Sequence, residues 1–166
     1  MKEFKMQQGL YLIAPAGTDE NELTGRFNRF CAGETPDALL FDPADRPFEA
    51  VRRFTNAVQT KNVALILKGD IDLALKLPAD GVQIPYRPDV KKIRKQAADI
   101  ALGVICATRD EAMRAGEAGA DYIGFDTPDA ADLTQWWSEL FTVPCVDFNP
   151  DRPSTAADFR IAVLAG

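Results

Sequence analysis

Three features of the sequence predict an α/β fold, a (β/α)8 barrel of the TIM-barrel type. Short apolar segments rich in Val, Ile and Leu recur along the 166 residues, segments with helical patterns separate them, and acidic turn residues precede several of them. Because the apolar segments scarcely alternate with polar residues, they are typical of strands buried in a parallel sheet that helices cover. Eight such units favour a closed barrel, and an open doubly wound sheet is the competing arrangement.

The chain divides into alternating candidate strands and helices. Eight apolar segments are assigned as strands, at residues 10–14, 38–41, 63–67, 81–84, 101–106, 122–125, 143–148 and 161–164. Six intervening segments are assigned as helices, at residues 19–31, 47–59, 71–77, 88–97, 109–118 and 130–141. Thr108 followed by Glu111 forms a capping box at one helix start, and Gly119 lies where a C-terminal cap is expected.

A repeated acidic residue supports this order of elements. Aspartates precede several strands at spacings close to one or two multiples of a βα unit of about 20 residues. They are Asp37, Asp80, Asp99, Asp121 and Asp158.

The chain is short for this fold, because barrels usually take about 200 residues or more. Residues 150–157 leave little room for a helix, and we expect no further helix after Gly166. The sequence therefore predicts a single domain over residues 1–166, a barrel trimmed at its C-terminal end, with helix 7 reduced and helix 8 absent. A missing helix exposes apolar strand surface, and a homodimer is one way to cover it.

Composition excludes several classes of protein. The net charge of -6, the pI near 4.7 and the lack of a basic run exclude nucleic acid as a partner. No apolar run reaches the roughly 18 residues that cross a bilayer, and the start lacks the apolar stretch of a signal peptide, so a cytoplasmic protein without a membrane partner is expected. Three cysteines without a CxxC pair predict reduced thiols rather than disulfides or a zinc cage.

The chain contains no histidine. This removes Ser-His and Cys-His nucleophile pairs, histidine general bases and metal sites built on imidazole. The phosphate-binding patterns GxGxxG and GxxxxGK[ST] are missing as well. Any chemistry must therefore use carboxylates, lysine, tyrosine, cysteine or backbone groups.

In such a barrel the working residues project from the carboxyl ends of the strands and from the loops after them. Four carboxylates occupy these positions and could bind a divalent cation or transfer protons; they are Asp42, Asp70, Asp126 and Asp147. A turn or N-cap role is the structural alternative for each of them.

Lys68 and Cys106 also lie at strand ends. Lys68 could pair with a phosphate or carboxylate or form a Schiff base, and a salt bridge to a neighbouring carboxylate is the alternative. Cys106 could be a nucleophile, but without a histidine to activate it a small core residue is favoured. Trp136 and Trp137 are expected to pack in the core or in an interface.

Several segments resemble the thiamine phosphate synthase family, which includes the thiazole tautomerases. DLALKLPADGVQI is similar to the family's D-L-A-L-x-x-x-A-D-G-V-H-L, and EAMRAGEAGADYIGF to its E-A-x-x-A-x-x-A-G-A-D-Y-I-G-F. LYLIAPA, DALLFDP and FTVPCVDFNP extend the resemblance over most of the chain. It implies a (β/α)8 barrel that, in active members, joins a pyrimidine diphosphate to a thiazole phosphate with magnesium and releases pyrophosphate.

The family's phosphate and magnesium positions carry other residues here. By the resemblance, the motif Gln-x-Arg-x-Lys falls on Leu40, Asp42 and Ala44, and an Asn-Asp pair falls on Lys68 and Gly69. These substitutions remove two cations that would hold pyrophosphate and one carboxylate that would bind magnesium.

The later motifs of the family are also replaced by other residues in this sequence. The family's His-x-Gly-Gln falls on Gln83, Pro85 and Tyr86, and its second magnesium aspartate falls on Pro88 or, with a shift of one residue, Asp89. A Ser-Thr-His, a Gly-Pro with a long loop and a Gly-Gly phosphate turn fall on residues 105–107, 126–127 and 149–150. Each charge-assisted phosphate contact contributes about 1.5 to 3 kcal/mol, so three losses weaken binding by about a thousandfold or more.

The leading hypothesis is a catalytically degenerate family member, a pseudoenzyme that binds a small neutral or cationic ligand at an acidic mouth or serves as an interaction partner. The rival is an active synthase with an atypical site, or another reaction that uses Lys68 and a carboxylate. No cofactor is expected unless the synthase reaction, with its magnesium, is retained. Lys68 and Asp126 are the catalytic candidates, no metal site is predicted, and the ligand-binding candidates are Asp42, Gln83, Tyr86, Asp147 and Asn149.

Overall fold

The computed structural model describes residues 8–149 and 156–166. Eight parallel strands form a closed barrel in chain order, with the last strand paired to the first. The strands are β1 Gly9–Ile13, β2 Ala38–Phe41, β3 Ala64–Lys68, β4 Gly81–Pro85, β5 Ala101–Cys106, β6 Tyr122–Phe125, β7 Cys145–Asp147 and β8 Phe159–Val163. The helices are α1 Glu20–Cys31, α2 Phe48–Gln59, α3 Ile71–Lys76, α4 Val90–Gln96, α5 Arg109–Glu117 and α6 Ala130–Leu140.

The predicted (β/α)8 barrel is confirmed, and the open sheet is not formed. Every predicted element is present, with ends that differ by at most two residues. The prediction of a reduced seventh helix concerns residues 150–157, of which 150–155 lie outside the described residues.

Apolar side chains form two layers, one on each side of the barrel wall. The outer layer lies between strands and helices and includes Phe27, Phe54 and Trp137, each at most 1% exposed. The inner layer fills the barrel with Tyr11, Leu40, Ile66, Tyr122 and Val146. Successive residues of each strand face opposite sides, so the continuous apolar runs of the sequence supply both layers.

Glycines make room for large side chains inside the barrel. A Cβ added at Gly103 on β5 would lie 2.0 Å from Cζ of Tyr122 on β6. A Cβ at Gly124 would lie 2.5 Å from a ring carbon of Phe148. The missing side chains let these aromatic rings pack closely against the neighbouring strand.

Four aspartates join neighbouring strands at the amino end of the barrel. Each precedes an even-numbered strand, and its carboxylate accepts a backbone N–H from the odd-numbered strand before it. The N–H to carboxylate distances are 2.7 Å from Leu10 to Asp37, 2.8 Å from Leu65 to Asp80, 2.8 Å from Leu102 to Asp121 and 2.8 Å from Cys145 to Asp158. Asp99, before β5, makes no such bond to a described residue, so the repeat spans two βα units rather than one.

The predicted signals at the ends of α5 are confirmed. Thr108 Oγ1 accepts the Glu111 N–H at 3.1 Å, and Glu111 Oε1 accepts the Ala107 N–H at 2.9 Å. Gly119 has a φ of 100°, the left-handed conformation expected after a helix. In the part of the chain that is described, no helix has the length and apolarity needed to cross a bilayer.

Candidate functional site

A cavity of about 370 Å³ opens at the carboxyl end of the barrel. Its polar lining consists of Lys68 at the end of β3, Gln83 in β4 and Asp126 directly after β6. The rest of the lining is apolar and comprises Ile13, Leu40, Ile84, Pro85, Ile105 and Phe148. Because β3 and β6 are separated by two strands on one side and four on the other, the ammonium and the carboxylate approach the cavity from different walls.

Two tyrosines hold the amide of Gln83 at the bottom of this cavity. Gln83 Oε1 accepts hydrogen bonds from the hydroxyls of Tyr122 at 2.7 Å and Tyr11 at 3.1 Å. The two hydroxyl oxygens lie 2.7 Å apart. Each hydroxyl has one proton, so a hydroxyl that donates to the other tyrosine does not donate to Gln83 at the same time. Gln83 itself is 6% exposed. The Nε2 group has no hydrogen-bond partner among the described residues, so its two N–H groups are available to a ligand.

Burial keeps this network uncharged. Desolvation raises the pKa of both tyrosines above the ordinary value of 10.0, and their hydrogen bond partly offsets the increase at Tyr11. Both hydroxyls therefore remain donors over the whole physiological pH range. They fix the orientation of Gln83.

Lys68 and Asp126 are charged groups at the cavity without a partner among the residues that the structure describes. Neither forms an ion pair or hydrogen bond with a described residue, so the salt bridge weighed as an alternative for Lys68 is not formed. Both side chains are exposed at the mouth. Both charged groups are therefore open to a ligand.

The other three strand-end aspartates perform the local roles that were the alternative interpretation. The Asp42 carboxylate accepts the Ala44 N–H at 2.9 Å. Asp70 caps α3 by accepting the N–H of Leu73 at 3.0 Å. The Asp147 carboxylate accepts the backbone N–H two residues later at 2.8 Å. Asp126 makes no such bond to a described residue, which distinguishes it from the others.

Of the seven residues predicted to line one mouth, three line this cavity, and they are Lys68, Gln83 and Asp126. Asp42 lies in a separate groove of about 470 Å³ between the loops after β1 and β2. Tyr86 is half-buried against the outer core. Asp147 and Asn149 follow the outer side of β7, because Val146 between Cys145 and Asp147 belongs to the inner layer.

Asp147 is a buried carboxylate, only 3% exposed. One of its oxygens, Oδ2, has no hydrogen-bond partner among the described residues. Desolvation raises its pKa above the ordinary value of 3.8, and the backbone hydrogen bond from Asn149 opposes that rise. This residue carries a cost to folding at neutral pH and does not face the cavity.

Cys106 is a core residue, as favoured from the sequence. It is 1% exposed, and burial, with smaller contributions from Glu111 and Asp126, raises the pKa of its thiol to about 12. A thiol in this state is a poor nucleophile at neutral pH. Trp137 is also buried, and its indole N–H donates to the Val143 carbonyl at 2.8 Å.

Sequence reasoning missed Tyr11 and Tyr122, which were assigned to apolar strands. The available signal was their position within the runs LYLIA and YIGF, where a hydroxyl requires a partner if the strand is buried. The spacing within each strand did not show that both rings face inward toward Gln83.

The fold and the cavity define a class, the (β/α)8 barrel proteins with a small-molecule cavity at the carboxyl ends of the strands. Within that class, the family model described as thiamine monophosphate synthase matches residues 10–146. The chain belongs to this family.

Individual relatives agree with this assignment. The thiamine-phosphate synthase of Rhodospirillum centenum is 34% identical over an alignment of 186 positions that covers 95% of this chain and 87% of the relative. The thiamine-phosphate synthase of Erythrobacter litoralis is 40% identical over 101 positions, 51% of this chain and 47% of the relative. The solved structure of thiamine phosphate pyrophosphorylase from Pyrococcus furiosus has a TM-score of 0.75 at 18% identity and covers 93% of this chain and 85% of that one, which supports the fold.

Proposed function

We propose that this chain binds a small molecule at the barrel mouth and does not carry out the synthase reaction of its family. The observation that carries the proposal is the set of groups at the cavity. Lys68 and Asp126 are its charged residues, and both are without protein partners in the described structure. A cavity with few polar groups on mostly apolar walls suits a small organic ligand.

The donor set does not fit a magnesium ion held together with a diphosphate. Asp126 is the one carboxylate among the residues that line the cavity, and an ammonium lines the same space. Across residues 8–149 and 156–166, no cluster of three acidic, cysteine or histidine side chains could hold a metal ion. Magnesium requires near-octahedral oxygen ligands. No step through magnesium is therefore assigned to this chain.

The backbone after β3 supports the same proposal. Gly69 occupies the position that the resemblance gives to an aspartate of the family, and its φ is 84°. That conformation favours glycine over residues with a Cβ. Its N–H donates to the Gln83 carbonyl at 2.8 Å, so the turn is tied to β4. An aspartate in this conformation would carry a backbone strain that glycine does not.

The test is pyrophosphate release from the pyrimidine diphosphate and the thiazole phosphate with magnesium. The thiamine-phosphate synthase of Rhodospirillum centenum serves as the active control, and circular dichroism confirms that this chain is folded. We expect a rate at least about a thousandfold below the control, from the loss of three or more phosphate contacts. Turnover within about a hundredfold of the control would refute the proposal.

An active synthase with an atypical site is the second candidate. The 34% identity to a thiamine-phosphate synthase over 95% of the chain favours it. In that case Lys68 would contact the diphosphate, and Lys68→Met would lower kcat/KM for pyrophosphate release by about tenfold or more. Without turnover in the wild-type chain this candidate is eliminated.

A further inference from the structure

We infer that the ligand of the mouth cavity is a small zwitterion, with an anionic end for Lys68, a cationic end for Asp126 and an apolar middle. This inference rests on the proposed binding function and adds the charge pattern of the ligand. Two opposite charges line one cavity, and neither is paired with a described residue.

The two charges at the cavity do not form an ion pair with each other. No Lys68 nitrogen lies within 4.0 Å of an Asp126 oxygen, the limit for an ion pair. A ligand that displaces water from the mouth also removes part of the hydration of both charges. An anion alone would satisfy Lys68 and face the Asp126 carboxylate, and a cation alone would satisfy Asp126 and face the Lys68 ammonium. A molecule with both charges satisfies both residues.

The remaining walls indicate what lies between the two charged ends. Leu40, Ile105 and Phe148 line the space between the walls that carry Lys68 and Asp126. The Phe148 ring lies edge-on to Tyr11, with the ring centroids 5.4 Å apart, and this contact fixes one wall. A flat or short apolar spacer suits these surfaces. The amide N–H groups of Gln83 at the bottom can donate to an acceptor on that spacer or on the anionic end.

Three probes that share a benzene ring separate the charges. They are 4-(aminomethyl)benzoate, which is a zwitterion, 4-methylbenzoate, which is an anion, and benzylamine, which is a cation. Binding to the full chain is measured by NMR titration. We expect the zwitterion to bind up to about fivefold more tightly than either singly charged probe, because each partly exposed ion pair contributes up to about 1 kcal/mol.

Two variants reverse the order of the probes if the inference is right. In Lys68→Met, benzylamine should bind at least as tightly as the zwitterion, because only the carboxylate remains. In Asp126→Asn, 4-methylbenzoate should bind at least as tightly as the zwitterion, because only the Lys68 ammonium remains. Lys76→Met and Asp72→Asn on α3 make the same changes of charge outside the cavity and should keep the wild-type order.

The inference is overturned if the three probes bind wild type equally, if both mouth variants keep the wild-type order, or if no probe binds at about 10 mM. Failure of the proposed function is recognised separately, because the chain would then release pyrophosphate in the synthase assay. A chain without turnover and without charge selectivity would refute only the zwitterion.

Discussion

Gly103→Ala tests how tightly the barrel interior is built around the network that holds Gln83. The added Cβ would lie 2.0 Å from Tyr122 Cζ and 2.3 Å from its hydroxyl oxygen. Real contacts of this kind are not shorter than 3.0 Å, so the ring must move by about an ångström. The ring cannot move without breaking the 2.7 Å hydrogen bonds to Tyr11 and Gln83.

The expected cost is the sum of two effects. Overpacking a filled interior costs about 1 to 3 kcal/mol. Breaking two buried hydrogen bonds adds about 1 kcal/mol each. We therefore expect Gly103→Ala to lower the free energy of unfolding by about 3 to 5 kcal/mol, measured by urea denaturation followed by circular dichroism.

A double-mutant cycle isolates the clash. In a Tyr122→Leu background, which lacks the atoms nearest to the new Cβ, Gly103→Ala should cost less than about 1 kcal/mol. Gly25→Ala on α1 is the matched control, because its Cβ would meet only an arginine nitrogen at 3.4 Å. That variant should be stabilised by about 0.5 to 1 kcal/mol. A loss below about 1 kcal/mol for Gly103→Ala alone, or an equal loss in both backgrounds, would refute the reasoning.

Two further changes test the aspartates. Asp80→Ala leaves the Leu65 N–H without its 2.8 Å acceptor and should lower the free energy of unfolding by about 1.5 to 3 kcal/mol, whereas Asp99→Ala should change it by less than about 0.5 kcal/mol. Equal losses in the two variants would contradict the assigned repeat. Asp147→Asn tests a buried acid whose pKa is raised in the folded state. Wild-type stability should fall as the pH rises from 3.8, the ordinary pKa, through the raised folded pKa, because the folded state binds the proton more tightly. The variant lacks this loss, so its stability relative to wild type should be greater at about pH 7 than at about pH 3.5 in urea denaturation. A relative stability that does not increase between these pH values would contradict the assignment.

Homodimer formation remains a prediction from the sequence. Sedimentation velocity at micromolar concentration measures it directly. A strict monomer would contradict it.

The fold could be predicted from the sequence because its signals are local. Buried strands of a parallel barrel are apolar almost throughout, and runs such as ALLF and ALGVIC show this directly. Thr108 and Gly119 mark helix ends through chemistry that involves only neighbouring residues. The aspartates before the strands were also visible as a repeat, although only the structure showed that Asp99 is not part of it.

The site could be predicted only in part, because it depends on which strand ends share one cavity. Lys68, Gln83 and Asp126 were predicted from their positions after strands, and they do line the cavity. Asp42 and Asp147 also lie at the carboxyl ends of strands, but they have different surroundings in the structure. Sequence spacing does not distinguish a carboxylate that accepts a nearby backbone N–H from one that has no protein partner.

By itself, then, the sequence determined the barrel, the order of its elements and the family, through patterns that extend over neighbouring residues or whole segments. The tertiary structure decided which polar groups are buried, paired or open to a ligand. The reason is physical, because burial and hydrogen bonding depend on residues far apart in the chain. Tyr11, Gln83 and Tyr122 are separated by 72 and 39 residues, and only closure of the barrel brings them within 3.1 Å of one another.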